Sequence, residues 1–338
     1  LDEVKQRFSI VFLSLLLLIV AAACNQSRED IVEDLTKKLD RLDGYTANAV
    51  MTFKHGEKQQ KYLAEIWYKK PDFYRVVLKD EDGKNPQMII KNKDGVYLIT
   101  PALNRKYHFE SDWPNNRSQY YLYQSLAKDI IHDGNAKFEA RNDDYVFTTK
   151  TNYPTKLLAY QKITLKKKKL APENVKIMDE DMNVVIDITF KNFKFGPKFD
   201  SDAFDVDKNE LSMKFDAHLP TMAAQHSSFK IYKPTISLTD TKLAYSKDVT
   251  EDSERKFILK YEGKKPFTLV ETQSQVTAKS ASVSMEADPV DLGFTVGIIT
   301  DHSLSWSYDG MDFYLASDKL SAEEMRDVAR SVVGMINK

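Results

Sequence analysis

The chain has 338 residues, and at roughly 100–200 residues per domain that length fits two domains once a leader is set aside. Hydrophobic residues make up 42% and charged residues 29%, the composition of a chain that folds around a core, which excludes wholesale disorder. Lys plus Arg number 49 against 50 Asp plus Glu, so a formal charge of -1 provides no global field for DNA or RNA, and no nucleic-acid partner is expected.

The first element is an uncharged run from Phe8 to Ala23, preceded by Lys5 and Arg7. It falls short of the about 20 residues a spanning helix needs and suits the apolar region of a signal peptide. The run ends in Ala21-Ala22-Ala23-Cys24 and gives way to the polar Asn25-Gln26-Ser27. This resembles a bacterial lipobox, in which the cysteine thiol receives a diacylglycerol and becomes the mature N-terminus. Ala21 stands where Leu is usual, and Asp2 and Glu3 occupy a region that is normally basic. The resemblance implies a signal peptide over 1–23, lipidation of Cys24 and a tether over 24–29. The membrane is then a partner, reached through the N-terminal diacylglycerol from its extracytoplasmic face. Two acyl chains at about 0.8 kcal/mol per buried methylene suffice for stable anchoring. An ordinary secretory leader or membrane anchor with an incidental cysteine is the alternative. Cys24 is the only cysteine, so no internal disulfide exists.

Residues Glu29 to Leu42 place Ile31, Val32, Leu35, Leu39 and Leu42 along one face of an amphipathic helix. Six strands are then predicted: Tyr45 to Lys54, Gln60 to Tyr68, Phe73 to Lys79, Gln87 to Lys91, Val96 to Thr100 and Lys106 to Phe109. His55-Gly56, Pro71-Asp72, Asp82-Gly83 and Asp94-Gly95 supply the turn chemistry of an antiparallel meander. A second helix over Gln119 to Ile131 carries Leu122, Leu126 and Ile130 on one stripe. Further strands follow at Asp144 to Thr149, Tyr160 to Leu165, Asn174 to Met178 and Val184 to Phe190. In the last of these Val184, Ile186, Ile188 and Phe190 alternate with polar residues, the pattern of a sheet with one face on a core. The pattern loosens around Asp207 to Ser228, which reads as a linker. Beyond it lie strands at Lys256 to Tyr261, Phe267 to Gln273, Leu304 to Tyr308 and Met311 to Ala316. A final helix is announced by the capping pattern Ser321-Ala322-Glu323-Glu324, with Met325, Val328, Ala329, Val332 and Ile336 as its buried stripe. The division expected is 30–213 for a first domain and 214–338 for a second.

Three stretches in the first domain carry a family likeness: Leu42-Asp43-Gly44-Tyr45, then Ala64-Glu65-Ile66-Trp67-Tyr68-Lys69-Lys70-Pro71-Asp72-Phe73-Tyr74-Arg75, then Ile89 to Pro101 with its Asp94-Gly95 turn. In order and spacing they resemble the LolA/LolB-like superfamily of lipoprotein carriers. Leader, carrier-like domain, C-terminal extension and length together look like the YdcC-type sporulation lipoproteins of Bacillota. The resemblance implies a mainly β, α+β fold: a curved antiparallel half-barrel of eleven strands with a helical lid, followed by a smaller C-terminal α+β domain. It also implies a non-enzymatic role in sporulation or germination, with lipid or lipoprotein acyl chains bound in the half-barrel. The candidate cavity residues are Phe53, Leu63, Trp67, Phe73, Val76, Ile90, Tyr97 and Ile99, and the lid candidates are Lys70, Leu122, Leu126 and Ile130. A closed hydrophobic core is the alternative reading of the same residues. The carriers have Arg before the turn proline, where it helps to fasten the lid; Lys70 offers a point charge in place of that planar fork. The alternative function is a protein-interaction module supporting spore-envelope or cortex-processing enzymes, with no lipid ligand.

The six histidines are scattered and show no metal-ligand spacing, so no metal or cofactor is expected. No G-x-S-x-G elbow or phosphate-binding Gly loop is present. Asp205-Val206-Asp207-Lys208-Asn209 opens like a calcium loop, but Glu210 replaces its turn glycine. The run Lys166 to Lys169 reads as a solvated strand end. Replacing Cys24 with Ala is expected to abolish incorporation of radiolabelled palmitate and to leave an uncleaved precursor, resolved from the mature form by gel mobility.

Overall fold

The computed structural model describes residues 26–55, 58–114, 119–153, 158–216, 229–236, 238, 240–251, 254–277 and 282–332. The leader, Cys24 and Ile336 lie outside them. The described chain begins at helix α1 (Arg28–Asp40), where Ser27 and Asp30 form a reciprocal capping box and Ile31 and Leu35 are buried. This cap satisfies the first backbone donors of a helix whose sequence is otherwise dominated by charge.

The meander follows as β1 (Gly44–His55), β2 (Lys58–Lys69), β3 (Phe73–Asp80), β4 (Gln87–Asn92), β5 (Gly95–Thr100) and β6 (Arg105–Phe109). After α2 (Tyr123–His132) the chain continues through β7 (Lys137–Ala140), β8 (Asp144–Lys150), β9 (Tyr160–Lys166), β10 (Ala171–Met178) and β11 (Val184–Phe195). Strand β1 lies between β2 and β11, so the two runs of strands join into one open antiparallel sheet ordered β6-β5-β4-β3-β2-β1-β11-β10-β9-β8-β7. The mainly β, α+β architecture and the helical lid are as the resemblance implies.

Three features go beyond the expectation. The stretch read as a linker opens with helix α3 (Val206–Asp216). Its cap is Asp205, whose carboxylate accepts from the Lys208 backbone N–H at 2.8 Å, so the acidic cluster that mimicked a calcium loop starts a helix instead. The second sheet is larger than expected. It is ordered β12-β13-β14-β19-β18-β17-β16, from β12 (Thr241–Glu251), β13 (Glu254–Gly263), β14 (Phe267–Gln273), β16 (Asp288–Asp291), β17 (Val296–Ile299), β18 (Ser303–Tyr308) and β19 (Met311–Ala316). The strand between, β15 (Ser282–Met285), crosses back and pairs parallel to β6 as a twelfth strand of the first sheet. The chain's closing helix α4 (Ala322–Val332) carries the expected box, with Glu324 accepting from the Ser321 N–H at 2.9 Å and Ser321 from that of Glu324 at 3.3 Å. Met325, Val328, Ala329 and Val332 are all fully buried.

Cross-strand register assigns the faces of the second sheet. Leu259, Leu269, Glu271 and Phe313 share the side with the buried core, and the segment 229–236 crosses that side at Tyr232, whose ring packs on Phe313 at 5.4 Å. Glu271 is wholly buried there and accepts from the Tyr232 backbone N–H at 3.0 Å. Burial pushes its carboxyl up to about 8, opposed by that hydrogen bond and by Lys233. The folded state therefore keeps a proton that the unfolded chain, with an ordinary carboxyl, has already released. Stability from this group is full below about pH 4.5 and declines as pH rises toward about 8. Glu271→Gln is expected to flatten that decline, so that urea midpoints at about pH 5 and about pH 9 converge in the variant but not in the parent.

Candidate functional site

The inner face of the first sheet is the candidate site. Alternate residues of β1 and β2 (Tyr45, Ala47, Ala49, Met51, Phe53; Tyr62, Ala64, Ile66, Tyr68) point to it, with Tyr74, Val76 and Leu78 from β3. Helices α1 and α2 pack on this face. Leu122, Leu126 and Ile130, the residues expected in the lid, are buried there at 0–1% exposure. Polar contacts fasten α2 to the strands: the Tyr45 hydroxyl donates to Gln124 Oε1 at 2.9 Å, and the Tyr123 N–H donates to that hydroxyl at 3.2 Å. Gln124 Nε2 donates to the Tyr74 hydroxyl at 3.2 Å, and Gln161 Nε2 to Asp129 Oδ2 at 2.7 Å. Burial pushes the hydroxyls of Tyr45 and Tyr74 well above their ordinary range, so they remain neutral donors and acceptors. Lys70 touches a different element. Its side chain is exposed and donates to the Asp40 carbonyl at 3.3 Å, closing the end of α1 rather than clasping α2.

The positions expected to line the cavity divide between the faces. Phe53 and Val76 reach the inner core; Leu63, Trp67, Phe73, Ile90, Tyr97 and Ile99 stand on the outer face. Strand periodicity is the reason: neighbours alternate sides, so a list shifted by one residue lands on the opposite surface. Leu63 pairs with Val50 while its neighbour Ala64 pairs with Ala49 on the inner face. The outer face has its own cover, which is why it is apolar too. Val77, Met88, Ile90 and Ile99 form a small second core with Met213 of α3. Arg75 stacks over Trp67 at 4.3 Å, pairs with Glu65 at 2.9 Å and donates to Asn209 at 2.7 Å. Phe73 packs on Phe204 at 5.7 Å, and Tyr97 stacks on His108 at 4.5 Å.

The far end of the inner face is filled by the C-terminal half of the chain. The loop between β16 and β17 sits against the ends of β1 and β2. Gly293, at φ +91°, lies so close to Phe53 that an added Cβ would stand 2.1 Å from the ring. Phe294 packs 6.4 Å from Tyr62, and Gln87 Oε1 accepts from Thr295 Oγ1 at 2.7 Å and from the Val296 N–H at 2.8 Å. Beside this plug lies a buried polar layer. Asp291 accepts from the Gly293 N–H at 2.5 Å, and burial raises its carboxyl above the usual range. The buried hydroxyls of Tyr120 and Tyr121 face it and are likewise pushed up. Arg330 of α4 donates to the Asp291 carbonyl at 3.3 Å. Between the two sheets a cleft of about 240 Å3 remains, walled by Leu98, Thr100, Arg105 and Tyr107 on one side and by Val270, Thr272, Ser305 and Tyr314 on the other. Arg105 spans it to Asp312 at 2.7 and 3.0 Å. Among the described residues no group of three His, Cys, Asp or Glu could hold a metal ion, and no helix is long and apolar enough to cross a membrane.

The molecule is thus of the α+β class, an open antiparallel sheet lidded by helices on one face and plugged by a second sheet. The model of the sporulation protein YdcC-like family matches residues 5–204. The sporulation protein YdcC of Bacillus subtilis (strain 168) is 40% identical over 340 residues, covering 100% of each chain. The chain belongs to the sporulation protein YdcC-like family. Among solved structures, the MucA/MucB complex of Pseudomonas aeruginosa is 12% identical over 88% of this chain and 98% of that one, with a TM-score of 0.32. A LolA superfamily protein from Nitrosomonas europaea is 10% identical over 52% and 98%, with a TM-score of 0.29. Likeness at such scores supports no inference.

The contact between Gly293 and Phe53 makes a sharp test of the plug. Gly293→Ala is expected to cost about 2–4 kcal/mol, combining a strained positive φ with overpacking. In a Phe53→Ala background the clash with the ring is removed, leaving the backbone share and the approach of the added Cβ to the Tyr120 hydroxyl at 2.8 Å, and a double-mutant cycle by urea denaturation measures the difference.

Proposed function

We propose that this sporulation protein is a non-enzymatic binding module, held by lipid on Cys24 at the extracytoplasmic face of a membrane, that engages a protein partner in assembly or processing of the spore envelope. The observation that carries this reading is the filled inner face. An acyl-chain carrier needs a hollow from which water can be displaced by hydrocarbon, because acyl chains bind through apolar area alone. Here that area is taken by the chain's own α1, α2 and the loop at Gly293 and Phe294. The cleft of about 240 Å3 is smaller than the roughly 300–1,000 Å3 of ordinary ligand pockets, and it is crossed by the Arg105–Asp312 pair. The apolar lining that the family resemblance associates with acyl chains therefore serves as packing between two halves of one protein.

The test is direct. The chain produced without residues 1–23 and with Cys24→Ser, purified without detergent, is expected to show the polypeptide mass alone in native mass spectrometry. Solvent extraction should yield no fatty acid in stoichiometric amount. One acyl ligand per chain would overturn the partner reading and restore the carrier.

A further inference from the structure

Among the described residues the two sheets have four edges, and three of them are short. Strands β7, β15 and β16 each have four residues. The fourth edge, β12, has eleven. Among the described residues it pairs with β13 and no other strand, leaving along its far side a row of backbone donors and acceptors turned to solvent. Every residue from Lys242 to Asp248 is exposed, including Leu243 at 40% and Tyr245 at 47%. Soluble proteins usually shorten, cover or break such edges, because an open edge is a template for another strand. This one carries no proline, and its single irregularity is the bulge at Ala244.

The charge pattern says what kind of strand fits. Cross-strand register places Lys242, Tyr245, Lys247 and Val249 of β12 on the side that faces the cleft, beside Lys260 and Ile258 of β13. Lys242 and Lys247 make no hydrogen bond or ion pair among the described residues. The acids nearby are taken: Glu262 by Lys260 at 2.8 Å, and Asp248, on the opposite side, by Arg255. An incoming strand therefore meets cation, aromatic ring, cation and valine in turn on one face, and opposite charges directly across an antiparallel pair are stabilising. A second copy of this chain is a poorer occupant, since it brings the same run of Lys242, Tyr245, Lys247 and Val249, which holds no carboxylate for either lysine.

We propose that β12 is a docking edge for an extended segment of a partner protein in which acidic residues alternate with apolar or aromatic ones. The segment adds as an eighth strand of the second sheet, with main-chain hydrogen bonds holding it and Lys242 and Lys247 selecting its acids. This deepens the partner reading above and rests on it.

The probe is a fluorescein-labelled nine-residue peptide Glu-Thr-Val-Thr-Glu-Thr-Val-Thr-Glu, one face of which alternates Glu and Val, with the peptide carrying Lys in place of each Glu as control, added to the chain lacking residues 1–23 and carrying Cys24→Ser. The acidic peptide is expected to raise anisotropy with at least tenfold tighter binding than the control, to weaken about tenfold in Lys242→Glu/Lys247→Glu, and to protect amides of 241–251 from hydrogen exchange. Equal binding of both peptides, no binding, or protection outside β12 would each overturn the proposal, as would a dimer in sedimentation that a photocrosslinker at Tyr245 joins through β12. Photocrosslinkers at Tyr245 and at Leu211 of α3, in sporulating cells, separate the two readings. Adducts from Leu211 without any from Tyr245 sink the edge proposal and leave partner binding standing; adducts from neither site sink both.

Discussion

Everything in the molecule turns on how the first sheet buries two apolar faces at once. A twelve-strand open sheet cannot leave a large hydrocarbon surface in water, and each side here has a different cover. Outside, α3 lays Met213 onto Val77, Met88, Ile90 and Ile99. Inside, α1 and α2 cover part of the surface, and the loop at Gly293 and Phe294 closes on Phe53 and Tyr62. That second closure couples the halves of the chain: the core is continuous from Ile31 near the N-terminus to Val332 in the last helix. A glycine is required at 293 because the backbone adopts a positive φ and approaches an aromatic ring too closely for any side chain.

The polar groups at this junction show how such a closure is kept specific. Gln87, on β4, supplies an acceptor that two donors from the second sheet share, and Arg105 supplies a planar fork that Asp312 meets with both oxygens. These contacts add less attraction than the apolar surface does, but they tolerate only one register between the sheets. The buried Asp291, with Tyr120 and Tyr121 before it and Arg330 behind, extends the same logic deeper. Charged groups withdrawn from water are stable there only while their partners hold position.

Much of the fold was legible along the chain. The meander from Tyr45 to Phe109 announced itself through turn pairs such as Asp94-Gly95, and both terminal helices through their apolar stripes. The candidate site was legible only in part. Leu122, Leu126 and Ile130 were recognisable because a helix with one buried stripe gives an unambiguous period. Leu63, Trp67 and Ile90 were not, since a strand covered on both sides carries apolar residues at successive positions, and alternation then no longer tells inside from outside. Helix α3 left one local signal, the cap at Asp205, which its calcium-like neighbours obscured.

Taken alone, the amino-acid order determined the strands of the meander, the first and last helices and the membership in a family of sporulation proteins, because these depend on local periodicity, turn chemistry and short motifs. Which face of each strand looks inward, that β15 returns to the first sheet, and that Gly293 seals the hollow were decided only in three dimensions. The physical reason is that these features arise between residues far apart in the chain, as Phe53 is from Gly293. No local pattern records such meetings; only the competition among surfaces to leave water resolves them.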